Sequence, residues 1–542
     1  MSRLDLAAHG LIAAPRRSRI PGDAAGSVAD VLDRAVREAP EFTALVGRHA
    51  RYSYAELDRQ SNRAAHALLA AGLREGDRIA MSLENQTEIV VAFLGAMRIG
   101  AIWAGINRNL AGPEKQFILH DAGVRLFLGD AAACQQLSSR RSELPSLARV
   151  IEVRPGEASC GFRELLASAA DETRPALDVD PSAPAAIAYT SGTTGVPKGA
   201  VHSQHNLLLP GAIAAYKGRA TSATTVGVCL PLTVLNLMVL GPVLSAQVGC
   251  KCVLMDRLDA VGIAAWIRDE RIVSFASVPT TFHDLLTHPD VAPGDLESLT
   301  QPGVGGANCP EEFKQLYRKR FGIEVQEGYG LTEAPTSVSH TDPQRPRIPG
   351  SVGKPHPHQV LRIEDESGTL LPPREVGEVC VGPTTEGPWA GVYTPMLGYW
   401  NRAEASAEAL RGGWLHTGDL GYLDEEGNLY ISDRKADMIL RGGANVYSAE
   451  VERVLHEDPR VAECAVIGTP DERLGERVAA VIQLEAGARG EQSVLEAELM
   501  AHCRDRLARY KCPEQICFVD AFPRNAMNKI VKRELAALLG LA

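Results

Sequence analysis

No run in this sequence approaches the roughly 20 apolar residues that a bilayer-crossing helix needs, so a helical membrane span is not expected. The N-terminus also lacks the order of a secretory signal. Asp5 and His9 interrupt the mildly apolar stretch 4–14, and Arg16-Arg17 follows it rather than preceding it. The last residues, Leu539-Gly540-Leu541-Ala542, carry no peroxisomal or prenylation signal. A cytoplasmic location is therefore the expectation. Cysteine is present but unorganised. Cys250 and Cys252 flank one residue, Cys512 and Cys517 flank four, and neither pair meets a second pair or a histidine pair at zinc spacing. The 11 cysteines read as scattered thiols of a reducing compartment. An excess of positive charge is missing too. The formal net charge of −11 argues against general nucleic-acid binding but allows a nucleotide in a locally basic site. There is no internal repeat and no low-complexity tract, which excludes a solenoid.

What is there is an ordinary globular composition, 45% hydrophobic and 23% charged, in a chain of 542 residues. That length exceeds what one hydrophobic core supports, so two or more domains are expected. The pattern predicts a helix over 59–71, a strand over 77–82 and a second helix over 88–98. Further strands are predicted at 185–189, 226–230, 272–278 and 324–328, with a connecting loop over 171–184. This alternation points to an α/β fold, a mostly parallel sheet covered by helices. After about residue 355, short strands bounded by glycine (360–363, 377–381 and 428–431) indicate a β-rich portion.

From Asp433 the pattern restarts. Ser448 is placed to cap a helix over 449–457, with Glu450 and Glu452 in its first turn. Strands follow at 461–467, 477–484 and 515–519, and Leu495, Leu499, Cys503 and Leu507 fall on one helical face. The predicted organisation is a large N-terminal domain over 1–435 and a small α+β C-terminal domain over 436–542.

The strand over 185–189 runs into Thr190-Ser191-Gly192-Thr193-Thr194-Gly195. Four hydroxyls and two glycines lie in six residues. Glycines let backbone N–H groups turn toward a ligand, and hydroxyls add donors. Val196-Pro197 stiffens the exit and Lys198 adds a cation. The set suits a polyphosphate, although the same composition also occurs in flexible surface turns. It is not a Walker loop, which needs Gly-Lys followed at once by Ser or Thr; here Lys198 precedes Gly199.

This segment resembles the phosphate loop of the adenylate-forming superfamily, which includes acyl-CoA synthetases, nonribosomal peptide adenylation domains and beetle luciferases. The resemblance continues in order. Tyr329-Gly330-Leu331-Thr332-Glu333 is similar to the family's aromatic-Gly-x-Thr-Glu motif, and Trp414 to Leu420 to its Thr-Gly-Asp motif. Asp433-Arg434 through Arg441-Gly442-Gly443 to Tyr447 is similar to its hinge and following loop. Pro523-Arg524 through Asn528-Lys529-Ile530 is similar to its C-terminal lysine motif.

The resemblance implies an ATP-dependent acid–CoA ligase. A carboxylate would attack the α-phosphate of ATP to give acyl-AMP and pyrophosphate, and the CoA thiol would then take the acyl group and release AMP. Both partners of the first step are anions, so the site must supply cations and aimed donors. The loop from Thr190 to Lys198 would cradle the β- and γ-phosphates, Thr332 would bond the α-phosphate and Glu333 would hold Mg²⁺. Tyr329 would stack on adenine against the wall of Gly305, Gly306 and Ala307. Asp419 and Arg434 would reach the ribose. Lys529 would bridge carboxylate and phosphate, and on rotation of the C-terminal domain Gly442-Gly443 would replace it along a CoA channel. Val234, Asn236, His283, Val304 and Gly353 are candidates for an acyl pocket, mostly apolar, that suits a medium-chain, alicyclic or aryl acid.

Some positions depart from the family pattern. Thr233 and Val234 stand where an aromatic residue and histidine are usual, Gln204 where histidine is frequent, Ala436 at the hinge, and Asn528 in place of glycine before Lys529. Alternatives are an adenylating enzyme that loads a carrier protein and a nucleotide-binding protein without catalysis. The expected partners are the carboxylic acid, ATP and CoA, with no nucleic acid; a homodimer is left open.

Overall fold

The structure is a computed structural model. It describes residues 4–12, 17–154, 156–157, 161–190, 197–305, 311–342, 345–434, 437–441, 444–471, 474–485, 487–488, 491–507, 509–525 and 530–538.

Ser53 sets the start of the first long helix. Its hydroxyl accepts from the Glu56 N–H at 3.2 Å, and the Glu56 carboxylate accepts from the Ser53 N–H at 2.8 Å. This reciprocal cap satisfies two donors that a helix end leaves orphaned. The helix therefore runs Tyr54–Ala70, five residues earlier than its apolar periodicity predicts. It packs against helix Thr87–Arg98, every residue of which is buried. Two charges are buried with that second helix, and each has a partner: Glu88 accepts from Arg163 at 2.9 Å, and Arg98 bonds Asp58.

The chain forms two compact units. The first comprises Met1–Leu361 and Cys380–Thr417, the second Arg362–Val379 and Gly418–Ala542. In the first unit, strands Arg149–Glu152, Leu126–Gly129, Arg78–Ser82, Ile102–Gly105 and Pro184–Thr190 lie in that spatial order and run parallel. Lys198–Ser203 and Gly398–Tyr399 extend this sheet antiparallel. Among the described residues, a second sheet of nine strands has a parallel centre, from Thr43–Val46 through Lys251–Leu254, Thr225–Val228, Ser274–Ser277 and Gln301–Val304 to Gln326–Tyr329. Leu126–Gly129 and Thr225–Val228 are buried throughout, as expected for parallel strands covered on both faces. One core joins Val253, Phe275, Phe282, Tyr317 and Val304.

In the second unit a long hairpin pairs Val461–Asp471 with Gly475–Leu484, and Gln515–Phe518 lies parallel to the latter. Val451, Leu455, Val466, Val478, Leu499 and Cys503 fill its core. Leu507 lies past the end of helix Gln492–Arg504 and packs on that core half-buried. The division into units differs from the 435/436 boundary read from the sequence. Asp419 to Leu423 pairs with Leu429–Arg434, the Arg374 N–H donates to the Leu423 carbonyl, and helix Ser448–His456 lies against Leu429–Arg434. Local pairing thus groups these strands with the C-terminal portion.

The cap predicted at Ser448 is corrected. Tyr447 occupies the cap position and Ser448 is the first helical residue; the Ser448 Oγ accepts from Lys532 Nζ at 2.6 Å. Among the described residues, no helix is long and apolar enough to cross a membrane. The described cysteines are free thiols, most of them buried. Burial pushes Cys229 and Cys250 up to about 11, which keeps them protonated and unreactive.

Candidate active site

Pairing in the first sheet places the ends of the candidate phosphate loop. Tyr189 stands opposite Gly199 and Thr190 opposite Lys198, so the loop leaves and re-enters adjacent strands in fixed register. Thr190 Oγ1 donates to the Lys198 carbonyl at 3.4 Å. The Tyr189 hydroxyl donates to Asp121 Oδ2 at 2.7 Å, and Arg402 pairs with the other oxygen at 3.0 Å. Burial, and then the Asp121 charge, push the Tyr189 phenol far up, so it remains a donor. Residues Ser191, Gly192, Thr193, Thr194 and Gly195 lie outside the described residues.

The short strand Gly398–Tyr399 then joins the loop to the Thr332-Glu333 motif. The Leu397 N–H donates to the Val201 carbonyl at 2.7 Å and the Trp400 N–H to the Gly199 carbonyl at 2.8 Å. This register sets the Tyr399 ring beside Lys198, whose Nζ lies 5.3 Å from the ring centroid. The Tyr399 hydroxyl donates to Glu333 Oε1 at 2.8 Å, and the Met396 N–H donates to the Glu333 carbonyl at 3.0 Å. A cation, an aromatic ring and a carboxylate are thereby held in sequence.

Tyr329 ends strand Gln326–Tyr329 and stands opposite Ser339. The chain must turn at Gly330. A Cβ there would lie 2.1 Å from the Thr336 carbonyl oxygen, and Thr336 itself takes φ +69°. Thr332 and Glu333 are half-buried. His202, fully buried on strand Lys198–Ser203, lies against the Thr332 backbone, and burial pushes it down to about 4, so it is neutral. The Gly305 N–H donates to the Ser277 carbonyl at 3.2 Å, and a Cβ at Gly305 would sit 3.6 Å from the Gly328 oxygen. Gly305 therefore lies flat beside the strand that carries Tyr329. Gly306 and Ala307 lie outside the described residues.

These residues fit a magnesium ion. Mg²⁺ takes hard oxygen ligands and is usually held by one or two carboxylates together with substrate phosphates. Glu333 supplies one such carboxylate, and its Oε1 accepts from the Tyr399 hydroxyl.

In the second unit, Asp419 stands opposite Arg434 across antiparallel strands. The preceding Gly418 takes φ +72°, a left-handed conformation that favours glycine, and its N–H donates to Glu378 Oε1 at 3.1 Å. Only the backbone of Arg434 is described.

Residues 32–400 match the family described as AMP-binding enzyme, and 450–529 match the AMP-binding enzyme C-terminal domain. The chain belongs to the AMP-binding enzyme family. It is 34% identical over 495 residues to the long-chain-fatty-acid–CoA ligase FadD13 of Mycobacterium tuberculosis, covering 90% of this chain and 92% of that one. It is 33% identical over 514 residues to a feruloyl-CoA synthase of an Amycolatopsis species, covering 94% and 98%. The crystal structure of the anthranilate CoA ligase AuaEII in complex with anthranoyl-AMP superposes with a TM-score of 0.85 at 27% identity, covering 94% and 97%.

In this AMP-binding enzyme the acyl-pocket candidates lie in different settings. Val234 precedes helix Leu235–Met238, on which Asn236 is half-buried. Asn85 holds the approach: its Nδ2 donates to the Leu230 carbonyl and its Oδ1 accepts from the Leu232 N–H, both at 2.9 Å. The helix then widens into a π turn, Val239–Val243, that contains Pro242. Val304 is a core residue opposite Ser277. Gly353 takes φ +85° against the His340 backbone. The His283 side chain is 54% exposed beside Asp284, with its ring toward Phe313. Gln204 is buried and donates to the Met97 carbonyl at 3.4 Å. Ala436, Gly442, Gly443, Asn528 and Lys529 lie outside the described residues.

Sequence reading of this AMP-binding enzyme missed Tyr399. Gly398-Tyr399-Trp400 carries no obvious catalytic group, and only strand pairing shows that the phenol meets Glu333.

Proposed function

We propose that the phosphate loop, Lys198, Thr332 and Glu333 bind Mg²⁺-ATP in this enzyme, and that its acid is an apolar medium-chain, alicyclic or aryl carboxylate. The enzyme class is an adenylate-forming acid–CoA ligase, as in the relatives. The continuous group Lys198–Tyr399–Glu333 at the mouth of the loop supports the site reading. It sets positive charge and a metal-competent carboxylate side by side, as in-line displacement at a phosphate requires.

A bound Mg²⁺, held by Glu333, would neutralise charge on the phosphate oxygens. Lys198 and the Thr190 hydroxyl would bind the β- and γ-phosphates and orient the pyrophosphate as leaving group. Thr332 would align the α-phosphate, with Asp419 and Arg434 on the ribose. Lys529 would draw the attacking carboxylate oxygen to phosphorus. The new bond is O–P, the broken one is P–O to pyrophosphate, and no net proton moves. In the second step the CoA thiol loses its proton, sulfur bonds the acyl carbon and AMP leaves.

The substrate range rests on the apolar candidates Val234 and Val304, and on relatives named for fatty and aromatic acids. Pyrophosphate release across a panel of acids, with and without CoA, tests the reading. Release with a thioester product supports it. Release without thioester formation would favour carrier-protein loading, and no release with any acid would favour a binding protein.

A further inference from the structure

We propose that Tyr399 is a positioning residue for adenylation, fixing the Glu333 carboxylate for the metal and offering its ring face to the Lys198 ammonium. This inference rests on the site reading above. Three observations carry it. First, the phenol donates to Glu333 Oε1 at 2.8 Å, within ordinary hydrogen-bond distance. Second, Lys198 Nζ lies 5.3 Å from the same ring centroid, inside the range of cation–π attraction. Third, Tyr399 cannot drift. Its strand is paired at Gly398 to Val201 and at Tyr399 to Ala200, and its own N–H donates to Ser406 Oγ at 2.8 Å.

The segment Met396–Tyr399 therefore grips Glu333 twice, through the Met396 N–H on the carbonyl and the Tyr399 hydroxyl on the carboxylate. Fixing a long side chain costs rotamer entropy, and one planar residue contacts both Glu333 and Lys198. Partners of this kind, behind a metal ligand, change metal affinity by about 10–100-fold when removed.

The test separates the hydroxyl from the ring. Tyr399→Phe keeps the ring and removes the donor; Tyr399→Leu removes both. Equilibrium binding of a non-hydrolysable ATP analogue is titrated against Mg²⁺ by calorimetry, and the melting temperature is recorded for each variant. For Tyr399→Phe the Mg²⁺ concentration at half-saturation should rise about tenfold, with metal-free nucleotide binding and melting temperature nearly unchanged. Tyr399→Leu should also weaken metal-free nucleotide binding. Adding Tyr399→Phe to Glu333→Gln should cost nothing further in Mg²⁺ dependence, since the two act as one unit. A half-saturation shift under twofold for Tyr399→Phe would overturn the inference while leaving the site reading intact. A wild-type protein that binds the analogue with no response to Mg²⁺ would overturn both. A lowered melting temperature with unchanged Mg²⁺ dependence would reduce Tyr399 to a structural residue and also overturn it.

Discussion

Asp419 and Arg434 face each other across two antiparallel strands, although 14 residues separate them in the chain. One step along, the register slips. Leu420 pairs with Asp433 but Gly421 pairs with Ile431, so Ser432 is an extra residue in its strand. Bulges of this kind re-aim side chains and recur beside functional sites. Here the bulge lies next to both residues proposed for the ribose.

Asp419→Ala should weaken ATP binding without unfolding the protein, since Asp419 is only half-buried. A hydrogen bond to a charged group is worth about 1.5–3 kcal/mol, so the ATP dissociation constant should rise roughly 10–100-fold. Calorimetry with ATP checks this; an unchanged constant would remove Asp419 from the site.

Lys529→Ala should suppress acyl-AMP formation by orders of magnitude and largely spare thioester formation from supplied acyl-AMP and CoA. Pre-steady-state assays of each half-reaction separate the two. Equal loss in both would count against a lysine that serves the first step alone.

Gly330→Ala should lower stability by about 1–3 kcal/mol, the usual cost of overpacking. The new Cβ would meet the Thr336 carbonyl oxygen at 2.1 Å, and backbone cannot yield as a flexible side chain does. Because the same turn presents Thr332 and Glu333, ATP binding should fall together with the melting temperature. Retention of both would contradict the tight turn.

Ser53→Ala is the matching control. Loss of the cap should cost about 1 kcal/mol of stability while adenylation rates stay at the wild-type level, because Ser53 is placed in no part of the site. Thermal melting and a pyrophosphate assay read the two effects separately.

Stability should decline as pH falls below about 6.5, the unfolded histidine value. Burial pushes His202 and His205 down to about 4 and His340 and His358 to about 3, and His356 well below its ordinary value. Lys217 and Arg219 add unfavourable positive charge near His340 and His356, while Asp342 partly offsets it at His340. Between the folded and unfolded values the unfolded chain binds more protons, so each histidine adds a slope of up to about 1.4 kcal/mol per pH unit. Stability is complete above the unfolded value and is lost as pH falls through the folded ones. The melting temperature should therefore be flat from pH 7 to 8 and drop by at least about 5 °C by pH 5. A flat profile down to pH 5 would mean these side chains are not buried neutral.

The sequence by itself determined the α/β class, the glycine- and hydroxyl-rich composition of residues 190–198 and the order of the adenylate-forming motifs. Those features are local. Glycine and hydroxyl density, apolar runs and short motifs are properties of neighbours in the chain, and propensity and periodicity report them directly. The helix starts at Tyr54 and Ser448 were read less well, because capping competes with bonds the pattern does not contain, such as Lys532 to Ser448. Only the tertiary structure decided that Tyr399 meets Glu333 and Lys198, that Asp419 faces Arg434, and that His283 points to solvent while Val304 is core. Each of these is set by strand register or by packing between distant segments. Register depends on the whole sheet, and no short window of sequence encodes it.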